Sequence, residues 1–330
     1  MNFEIPVDKN LVESLPFEEE STSYQKFLLV CSEIFGATKP EEKECLFKIF
    51  QFFDVDNDGV LNSQEWSRLD ESWLQPTLNP KNALIIVDVQ NDFIDGSLSL
   101  RDCPAGQDSK DVINPINRLI RKGKWDKIIY TLDWHPENHI SFYENLHSWE
   151  IHPDSKFSKE VAKPFGKILF KQESQEIRIW PKHCIKDTWG AQLHKDLLVL
   201  PGSEKVLKGE NAGQEAYSAF LDTGNNKATN INDILIKSKV TNVYICGVAY
   251  DVCVKETSLD ALKFGYRVAV IDDCCRGTNV PDIQIAKNLI TENSGLIADS
   301  EEILSIVNGN KFNFTMAYQG FKSLVSKISS

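Results

Sequence analysis

The stretch that decides the fold is "ALIIVDVQNDF", residues 83–93, because a continuous apolar run ends abruptly in polar residues. Such a run predicts a strand buried on both faces, as in a parallel sheet. The run closes on Asp88, and ligands in open α/β sheets bind beyond the carboxyl ends of the strands. The stretch therefore predicts an α/β protein with a binding site near Asp88.

Five further apolar runs follow, separated by stretches with a helical pattern. They occupy residues 127–133, 205–208, 242–248, 267–273 and 295–299. Buried strands that alternate with helices predict a doubly wound parallel sheet with helices on both faces. Two parts of the chain have a weaker pattern: we interpret 143–179 as a hairpin excursion and 309–330 as one more helix.

Polar residues stand at the ends of four of these strands. Asp88 ends the first strand, Asp133 the second and Lys208 the third, while Cys253 falls in the first turn of the helix after the fourth. The carboxyl ends of parallel strands meet at one edge of the sheet. Four such residues from four strands therefore predict a single site.

Cys253 is the predicted nucleophile of this site. We interpret Asp251 as the N-cap of the following helix, where free N–H groups and the dipole lower the pKa of a thiol and can hold an oxyanion. Lys208 would stabilise the thiolate, and Asp88 would accept the thiol proton. An isolated cysteine is more often a core residue, but the neighbouring acid and lysine favour catalysis here.

A metal site is predicted from Asp133, His135 and the His183 of "WPKHC". Two imidazoles and one carboxylate leave coordination positions open, as a catalytic metal requires. The same set fits a non-haem iron oxygenase, although an oxygenase has no evident use for the cysteine, aspartate and lysine. His139 is the histidine predicted to support the metal ligands, and Glu144 stays open as a fourth ligand.

Five motifs then match one family in order over about residues 83–300. "IIVDVQNDF", "LDWHPENHISF", "WPKHC", "KG…AYSAF" and "GVAYDVCV" resemble the nicotinamidases of the isochorismatase-like cysteine hydrolases. The resemblance implies hydrolysis of nicotinamide to nicotinic acid and ammonia, a step of NAD salvage. It implies that Cys253 is the nucleophile, Asp88 the base and Lys208 its ionic partner.

The resemblance also implies how the site binds metal and substrate. The metal, usually zinc in this family and sometimes iron or manganese, would sit on Asp133, His135 and His183. Val248 and Ala249 match a cis peptide that turns the Ala249 N–H toward the N–H of Cys253, completing an oxyanion hole. Phe93, Trp180 and Val248 are the implied substrate-binding residues.

Two other functions stay open at this point. One is a different cysteine hydrolase of the same superfamily, acting on another small carboxamide. The other is a calcium-responsive binding protein built on a disused hydrolase fold, against which the intact Cys–Asp–Lys set argues.

The stretch "DVDNDGVLNSQE", residues 54–65, matches the calcium-binding loop of an EF-hand. Gly59 allows the sharp turn, and apolar stripes on either side predict helices. The predicted calcium ligands are Asp54, Asp56, Asp58, Val60, Asn62 and Glu65. We expect a small all-α EF-hand domain at 1–80, a short linker around 75–82 and the hydrolase domain at 81–330. A structural role for the ion is favoured over control of catalysis, because only one competent loop is found.

Composition and charge limit the kinds of partner and the cell compartment that are expected for this protein. The net charge is −12, and −10 of it falls in residues 1–80, which argues against nucleic acid as a partner. No signal peptide or membrane-spanning run is found. The eight cysteines are then expected to be reduced thiols, and the predicted location is the cytoplasm, with the nucleus left open. The oligomeric state, including a homo-oligomer, is not determined by the sequence.

Overall fold

The computed structural model describes residues 21–173 and 175–329. The strands are β1 (Ser21–Ser23), β2 (Val60–Asn62), β3 (Asn82–Val87), β4 (Lys127–Asp133), β5 (Lys167–Ile168), β6 (Ile177–Arg178), β7 (Glu204–Lys208), β8 (Asn242–Val248), β9 (Arg267–Arg276) and β10 (Leu296–Ala298). The α-helices are α1 (Tyr24–Phe35), α2 (Pro40–Phe53), α3 (Ser63–Leu69), α4 (Gln75–Leu78), α5 (Asn91–Ile94), α6 (Ile113–Lys122), α7 (Ile231–Lys237), α8 (Lys255–Lys263), α9 (Val280–Glu292), α10 (Ser300–Val307) and α11 (Phe314–Ser329). Two π-helical turns, Asp70–Leu74 and Tyr250–Val254, join α3 to α4 and β8 to α8.

The centre of the molecule is a six-stranded sheet in the order β10-β9-β8-β3-β4-β7, with every neighbouring pair parallel. All six predicted strands are present, and the α/β fold class is confirmed. Every residue of β3 and of β8 is buried, which explains why these strands read as unbroken apolar runs. The chain moves outward from β3 through β4 to β7, then returns to the other side of β3 at β8. The strand order therefore reverses between β3 and β8, where a ligand site is expected.

The close approach of β3 and β8 near this point depends on Gly247. Its φ is +116°, and a Cβ atom there would lie 2.1 Å from the Val87 carbonyl oxygen. No side chain fits at that distance, so a glycine is required where the two central strands reach the site.

The first described part of the chain is helical. The predicted apolar stripe of α2 is buried, with Leu46, Ile49, Phe50 and Phe53 at most 2% exposed. At the start of α2 the Glu42 carboxylate accepts the backbone N–H groups of Thr38 and Lys39, both at 3.0 Å. Strands β1 and β2 pair antiparallel, with Thr22 opposite Leu61. The helices α1 to α4 therefore form one small unit, residues 21–78, which we call the N-terminal unit.

Helix α11 completes the core of the N-terminal unit. The helix predicted in the tail 309–330 is confirmed, and its Phe314, Ala317 and Phe321 belong to the same apolar cluster as Phe27 and Trp73. Another part of α11 contacts the sheet. Gln319 accepts a hydrogen bond from the Val268 N–H and donates one to the Val268 carbonyl at 3.0 Å. The helix thus lies between the N-terminal unit and the sheet.

The segment 143–179 is a hairpin excursion, as predicted. Strands β5 and β6 pair antiparallel within it, Lys167 opposite Arg178. Its small apolar core consists of Leu146, Ala162, Ile168, Phe170, Ile177 and Ile179, together with Ile140 just before the segment. The excursion leads directly into Trp180, so its fold determines where that indole lies.

Among residues 21–173 and 175–329, no helix is both long and apolar enough to cross a membrane.

Candidate active site

The four polar residues predicted at the strand ends lie together. Asp88 follows β3, Asp133 ends β4 and Lys208 ends β7, and these three strands, with β8, are neighbours in the sheet. Cys253 lies in the π-helical turn after β8. All four side chains are buried. The reversal of strand order thus brings one lysine, two carboxylates and one thiol to the same edge.

Lys208 is the centre of this group. Its ammonium lies 3.0 Å from Asp88 Oδ2 and 3.4 Å from Cys253 Sγ, and it forms a second ion pair with Asp133 Oδ1. It also donates to the Ala216 carbonyl at 3.3 Å. Burial opposes the charge of Lys208, but the two carboxylates outweigh it and hold the pKa of the ammonium well above its usual value. Lys208 is therefore a permanent cation in contact with the thiol.

Asp88 is placed to exchange a proton with Cys253. Its carboxylate is fully buried and accepts a hydrogen bond from Thr131 Oγ1 at 2.6 Å. Oxygen and sulfur atoms of Asp88, Asp133 and Cys253 all lie within 4.8 Å of one another. Burial raises the pKa of Asp88 although Lys208 acts in the opposite direction. A carboxylate with a raised pKa is a stronger proton acceptor, which suits a general base.

The surroundings of Cys253 differ from the sequence-based expectation in two respects. Asp251 is not an N-cap: the cap position is Ala249, and Asp251 instead accepts hydrogen bonds from Thr278 N at 2.8 Å and Thr278 Oγ1 at 2.6 Å. The expected lowering of the thiol pKa is also wrong. Burial raises the pKa of Cys253 well above its usual value, against the effect of Lys208. The resting group is therefore a thiol, and its proton must be removed during a reaction.

Asp133, His135 and His183 converge as a candidate metal site. Asp133 Oδ2 lies 3.6 Å from His135 Nε2 and 3.9 Å from His183 Nε2. The other ring nitrogens are occupied, His135 Nδ1 by the Gly209 carbonyl at 2.9 Å and His183 Nδ1 by the Pro181 carbonyl at 2.8 Å. Such outer hydrogen bonds fix the tautomer and direct Nε2 to a metal. These residues therefore fit a divalent ion.

The pKa of His183 agrees with a role as a metal ligand. Burial, together with the charge of His135, lowers the pKa of His183 to about 4. His183 is therefore neutral near pH 7, which is the form that binds a metal.

His139 supports the metal residues and does not join them. Its Nδ1 lies 2.8 Å from Ser141 Oγ and its Nε2 lies 3.2 Å from the Gln214 carbonyl, so both ring nitrogens are engaged. Its ring packs on His135 with centroids 4.1 Å apart. Glu144, left open as a fourth ligand, is exposed and accepts the N–H of Lys182 at 3.1 Å. It therefore fixes the backbone just before His183 and is not part of the cluster of Asp133, His135 and His183.

A pocket opens beside both groups of residues. Its lining residues are Phe93, Leu98, Leu100, Asp133, His135, Trp180, His183, Glu215, Tyr217, Ala249, Val252, Cys253 and Thr278. The predicted Phe93 and Trp180 are among them. Val248 is not among them and is fully buried, whereas the adjacent Ala249 lines the pocket. The peptide between Val248 and Ala249 is cis.

Gln90 has a positional role that sequence reasoning missed. Its amide donates to the Asp133 carbonyl at 2.7 Å and to the Ala191 carbonyl at 2.9 Å, while its oxygen accepts the Asp133 N–H at 2.8 Å. Gln90 is fully buried. It therefore fixes the backbone of Asp133, and its place in "VDVQNDF" was the only signal that pointed to it.

Glu215 was also missed, and the excursion 143–179 explains its position. The Glu173 carboxylate accepts the Glu215 N–H at 2.7 Å and the Gln214 side-chain amide at 2.9 Å. Glu215 is 3% exposed and lines the pocket. Burial raises its pKa to about 7. The excursion thus helps to position one wall of the pocket, because Glu173 accepts hydrogen bonds from the backbone of Glu215 and the side chain of Gln214.

Comparison with known proteins gives consistent matches over the sheet region. Residues 82–302 match the family model described as isochorismatase domain. A nicotinamidase of Saccharomyces cerevisiae is 40% identical over 200 residues, which are 58% of this chain and 87% of that protein. The crystal structure of the yeast nicotinamidase bound to the inhibitor nicotinaldehyde is similar with a TM-score of 0.55 and 34% identity, over 66% of this chain and 99% of that one. The pyrazinamidase of Pyrococcus horikoshii in complex with zinc is similar with a TM-score of 0.50 and 30% identity, over 67% of this chain and 99% of that one.

Proposed function

The chain belongs to the isochorismatase family, and we infer that within it the protein is a nicotinamidase, an amidohydrolase that converts nicotinamide to nicotinic acid and ammonia. One observation above all supports this function. The thiol of Cys253 and the metal-binding set Asp133, His135 and His183 line the same pocket. A pyridine carboxamide needs both, since its ring nitrogen is a metal ligand and its amide carbon is the electrophile.

We propose that the ring lies between Phe93 and Trp180, with the carboxamide over Cys253. A divalent ion held by Asp133, His135 and His183 would supply a Lewis acid for the ring nitrogen. The zinc in the Pyrococcus relative and the nitrogen–oxygen donor set support zinc as that ion.

Acylation begins when Cys253 Sγ attacks the carboxamide carbon and Asp88 takes the thiol proton. A C–S bond forms, and the carbonyl oxygen becomes an oxyanion, for which we propose the N–H groups of Ala249 and Cys253 as the stabilising donors. Asp88 then gives its proton to the amide nitrogen. The C–N bond breaks, ammonia leaves and a thioester remains on Cys253.

Deacylation uses Asp88 again, first as a base and then as an acid. Asp88 takes a proton from a water molecule that attacks the thioester carbon. The C–S bond breaks, nicotinic acid is released, and the proton on Asp88 returns to the sulfur of Cys253. Lys208 keeps its charge throughout, and this charge stabilises both the thiolate and the carboxylate beside it.

The function and the metal site are tested together by ammonia release from nicotinamide with and without a metal chelator. The wild-type protein should release ammonia and lose this activity on chelation. His183→Ala should contain little metal and show a strongly raised KM, because it removes a ligand. The loss of metal affinity should exceed the roughly 10–100-fold typical of removing an outer hydrogen-bond partner.

The matched control is His147→Ala, which changes an exposed histidine of the excursion and should leave metal content and KM unchanged. Elemental analysis that finds full metal content in His183→Ala would overturn the metal assignment. A wild-type protein inactive on nicotinamide but active on another small carboxamide would overturn the substrate.

We further propose that residues 54–65 are an EF-hand calcium loop. Ligand atoms of Asp54, Asp56 and Glu65 lie within 4.8 Å of one another. Asp54 is 6% exposed, and its Oδ1 has no hydrogen-bond partner among the described residues. A buried carboxylate oxygen without a donor is costly unless a cation binds it. This unpaired oxygen within the cluster supports a calcium ion.

The pairing of β1 with β2 also supports an EF-hand. Leu61 is the eighth residue of the loop, and it pairs with Thr22. Counting from Thr22 as the eighth residue of a partner loop places Lys26 at the twelfth position, where a calcium loop needs a glutamate. A partner loop with a cation there does not bind calcium, which explains why only one competent loop is found in the sequence.

Glu65→Ala tests the calcium site. Glu65 is the twelfth-position ligand, and its removal should abolish most calcium binding. In the wild-type protein, a calcium concentration of a hundred times the Kd should raise the free energy of unfolding by about 2.7 kcal/mol. The melting temperature should rise accordingly, and this rise should vanish in the variant. Turnover should change only modestly, because no proposed catalytic residue lies in the N-terminal unit.

Glu71→Ala, an exposed acid on the helix after the loop, is the control and should keep the calcium response. A steep calcium activation of the wild-type enzyme that Glu65→Ala loses would show that the ion regulates catalysis.

We propose two domains, a calcium-binding domain at 1–80 and the hydrolase domain at 81–330, whose helix α11 packs against the first domain. The cytoplasm is the proposed location, because all eight cysteines are free thiols, as a reducing compartment requires.

A further inference from the structure

Helix α11 covers the apolar side of the N-terminal unit although it lies far away in the sequence. Phe314, Ala317 and Phe321 are 8%, 0% and 6% exposed and belong to the cluster formed by α1 to α4. Leu324 and Val325 pack partly against the same cluster. The spacing of these residues is that of the apolar face of an amphipathic helix. The arrangement is therefore a helix lying in an apolar groove.

Both helices that flank the loop 54–65 contact α11. On the entering side, the Phe52 ring meets the Phe321 ring edge to face, with centroids 5.4 Å apart. Phe52 is two residues before Asp54, the first ligand of the loop. On the exit side, Trp73 Nε1 donates a buried hydrogen bond of 2.9 Å to the Ala317 carbonyl. Trp73 continues the helical run that contains Glu65, the last ligand.

The relative orientation of these two helices is what a calcium ion changes in sensor EF-hands. Contacts from α11 to both helices can be optimal at only one angle between them. An ion that favours this angle must then favour docking of α11. By linkage, docking of α11 must raise the affinity for the ion by the same factor.

We propose that α11 is a built-in target helix of the calcium-binding unit, so that calcium binding to residues 54–65 and docking of α11 stabilise each other. This inference rests on the calcium site proposed above, and it adds the partner of that site.

The opposite contacts of α11 reach the amino end of β9, on the side of the sheet away from the catalytic residues. Gln319 bonds both backbone groups of Val268 in β9, and Ser323 Oγ donates to the Gly265 carbonyl at 3.0 Å. These contacts lie away from Cys253 and from the metal-binding residues. The linkage is therefore expected in stability and in calcium affinity, with little effect on turnover.

The first test is a calcium titration by calorimetry on the full-length protein and on Phe321→Ala. Removing the ring that meets Phe52 should weaken calcium binding about fivefold or more, the usual lower range of coupling between sites. Phe321→Leu keeps most of the apolar volume and should give a smaller loss in the same direction. The matched control is Phe170→Ala, a phenylalanine with 0% exposure in the excursion core, which should leave calcium affinity unchanged.

The second test is amide hydrogen exchange of residues 314–329 with and without calcium. Calcium should slow exchange in α11 of the wild-type protein, and it should have no such effect in Glu65→Ala. This measurement needs no change in α11 itself, so it holds even if Phe321→Ala folds poorly.

The outcomes separate the two proposals. Calcium affinity equal in the wild-type protein, Phe321→Ala and Phe321→Leu, with exchange in α11 independent of calcium, would overturn the linkage and leave the calcium site standing. A wild-type protein that binds no calcium would overturn the calcium site and the linkage together. Neither result would touch the nicotinamidase function.

Discussion

Cys253→Ala is expected to lower ammonia release from nicotinamide by about 10⁴-fold or more, because Cys253 is the only cysteine among the described residues that line the pocket. Cys253 Sγ is the sulfur in contact with Lys208 Nζ, at 3.4 Å. The variant should still bind the metal, since none of the three proposed ligands is changed. Single-turnover kinetics and metal analysis on the same preparation measure both effects.

Cys274→Ala is the matched control for this substitution. Cys274 is fully buried in β9 and lies outside the pocket, so its loss removes a small apolar group without changing the chemistry. It should cost some stability and little turnover. Near-normal ammonia release by Cys253→Ala would contradict the mechanism proposed here.

Lys208→Met is expected to damage both activity and stability. The substitution keeps an unbranched apolar stem but leaves the buried carboxylates of Asp88 and Asp133 without their shared cation. Removing one partner of a buried ion pair costs about 3–5 kcal/mol in the free energy of unfolding. Turnover should fall by about 10²–10⁴-fold, the range of a lost acid–base arrangement, because Asp88 and the thiol lose their neighbouring charge.

Lys205→Met, on the same strand but exposed, is the control and should change neither quantity by much. Denaturant unfolding and steady-state kinetics measure the two effects separately. A Lys208→Met variant with wild-type stability would show that the two carboxylates do not depend on this cation.

The sheet and the members of the site could be predicted because both follow from local pattern. Continuous apolar runs such as residues 83–87 and 242–248 are determined by burial on both faces of a strand. Once a parallel sheet is assumed, the residue at each carboxyl end must reach the same edge. Asp88, Asp133, Lys208 and Cys253 could therefore be grouped before any distance was known.

The features that were missed depend on contacts between distant parts of the chain. Asp251 has the residue type and spacing of an N-cap, but it bonds Thr278 instead, 27 residues further on. Gln90 fixes Asp133 across 43 residues. The thiol pKa of Cys253 was misjudged because the sequence shows the nearby lysine but not the extent of burial. Local pattern contains none of this information.

The same limit applies to α11. Its amphipathic pattern predicts a helix, but not that the apolar face covers residues 24–78. Only the folded chain shows that Trp73 and Ala317 are partners.

The sequence separation of 244 between Trp73 and Ala317 has a consequence for synthesis on the ribosome. Helices α1 to α4 emerge before α11, yet Trp73 cannot be fully covered until α11 emerges as well. At about 5–20 residues per second, this interval lasts roughly 10–50 s. Through that time the nascent chain exposes an apolar surface on residues 24–78, and a chaperone that binds such surfaces would meet it there.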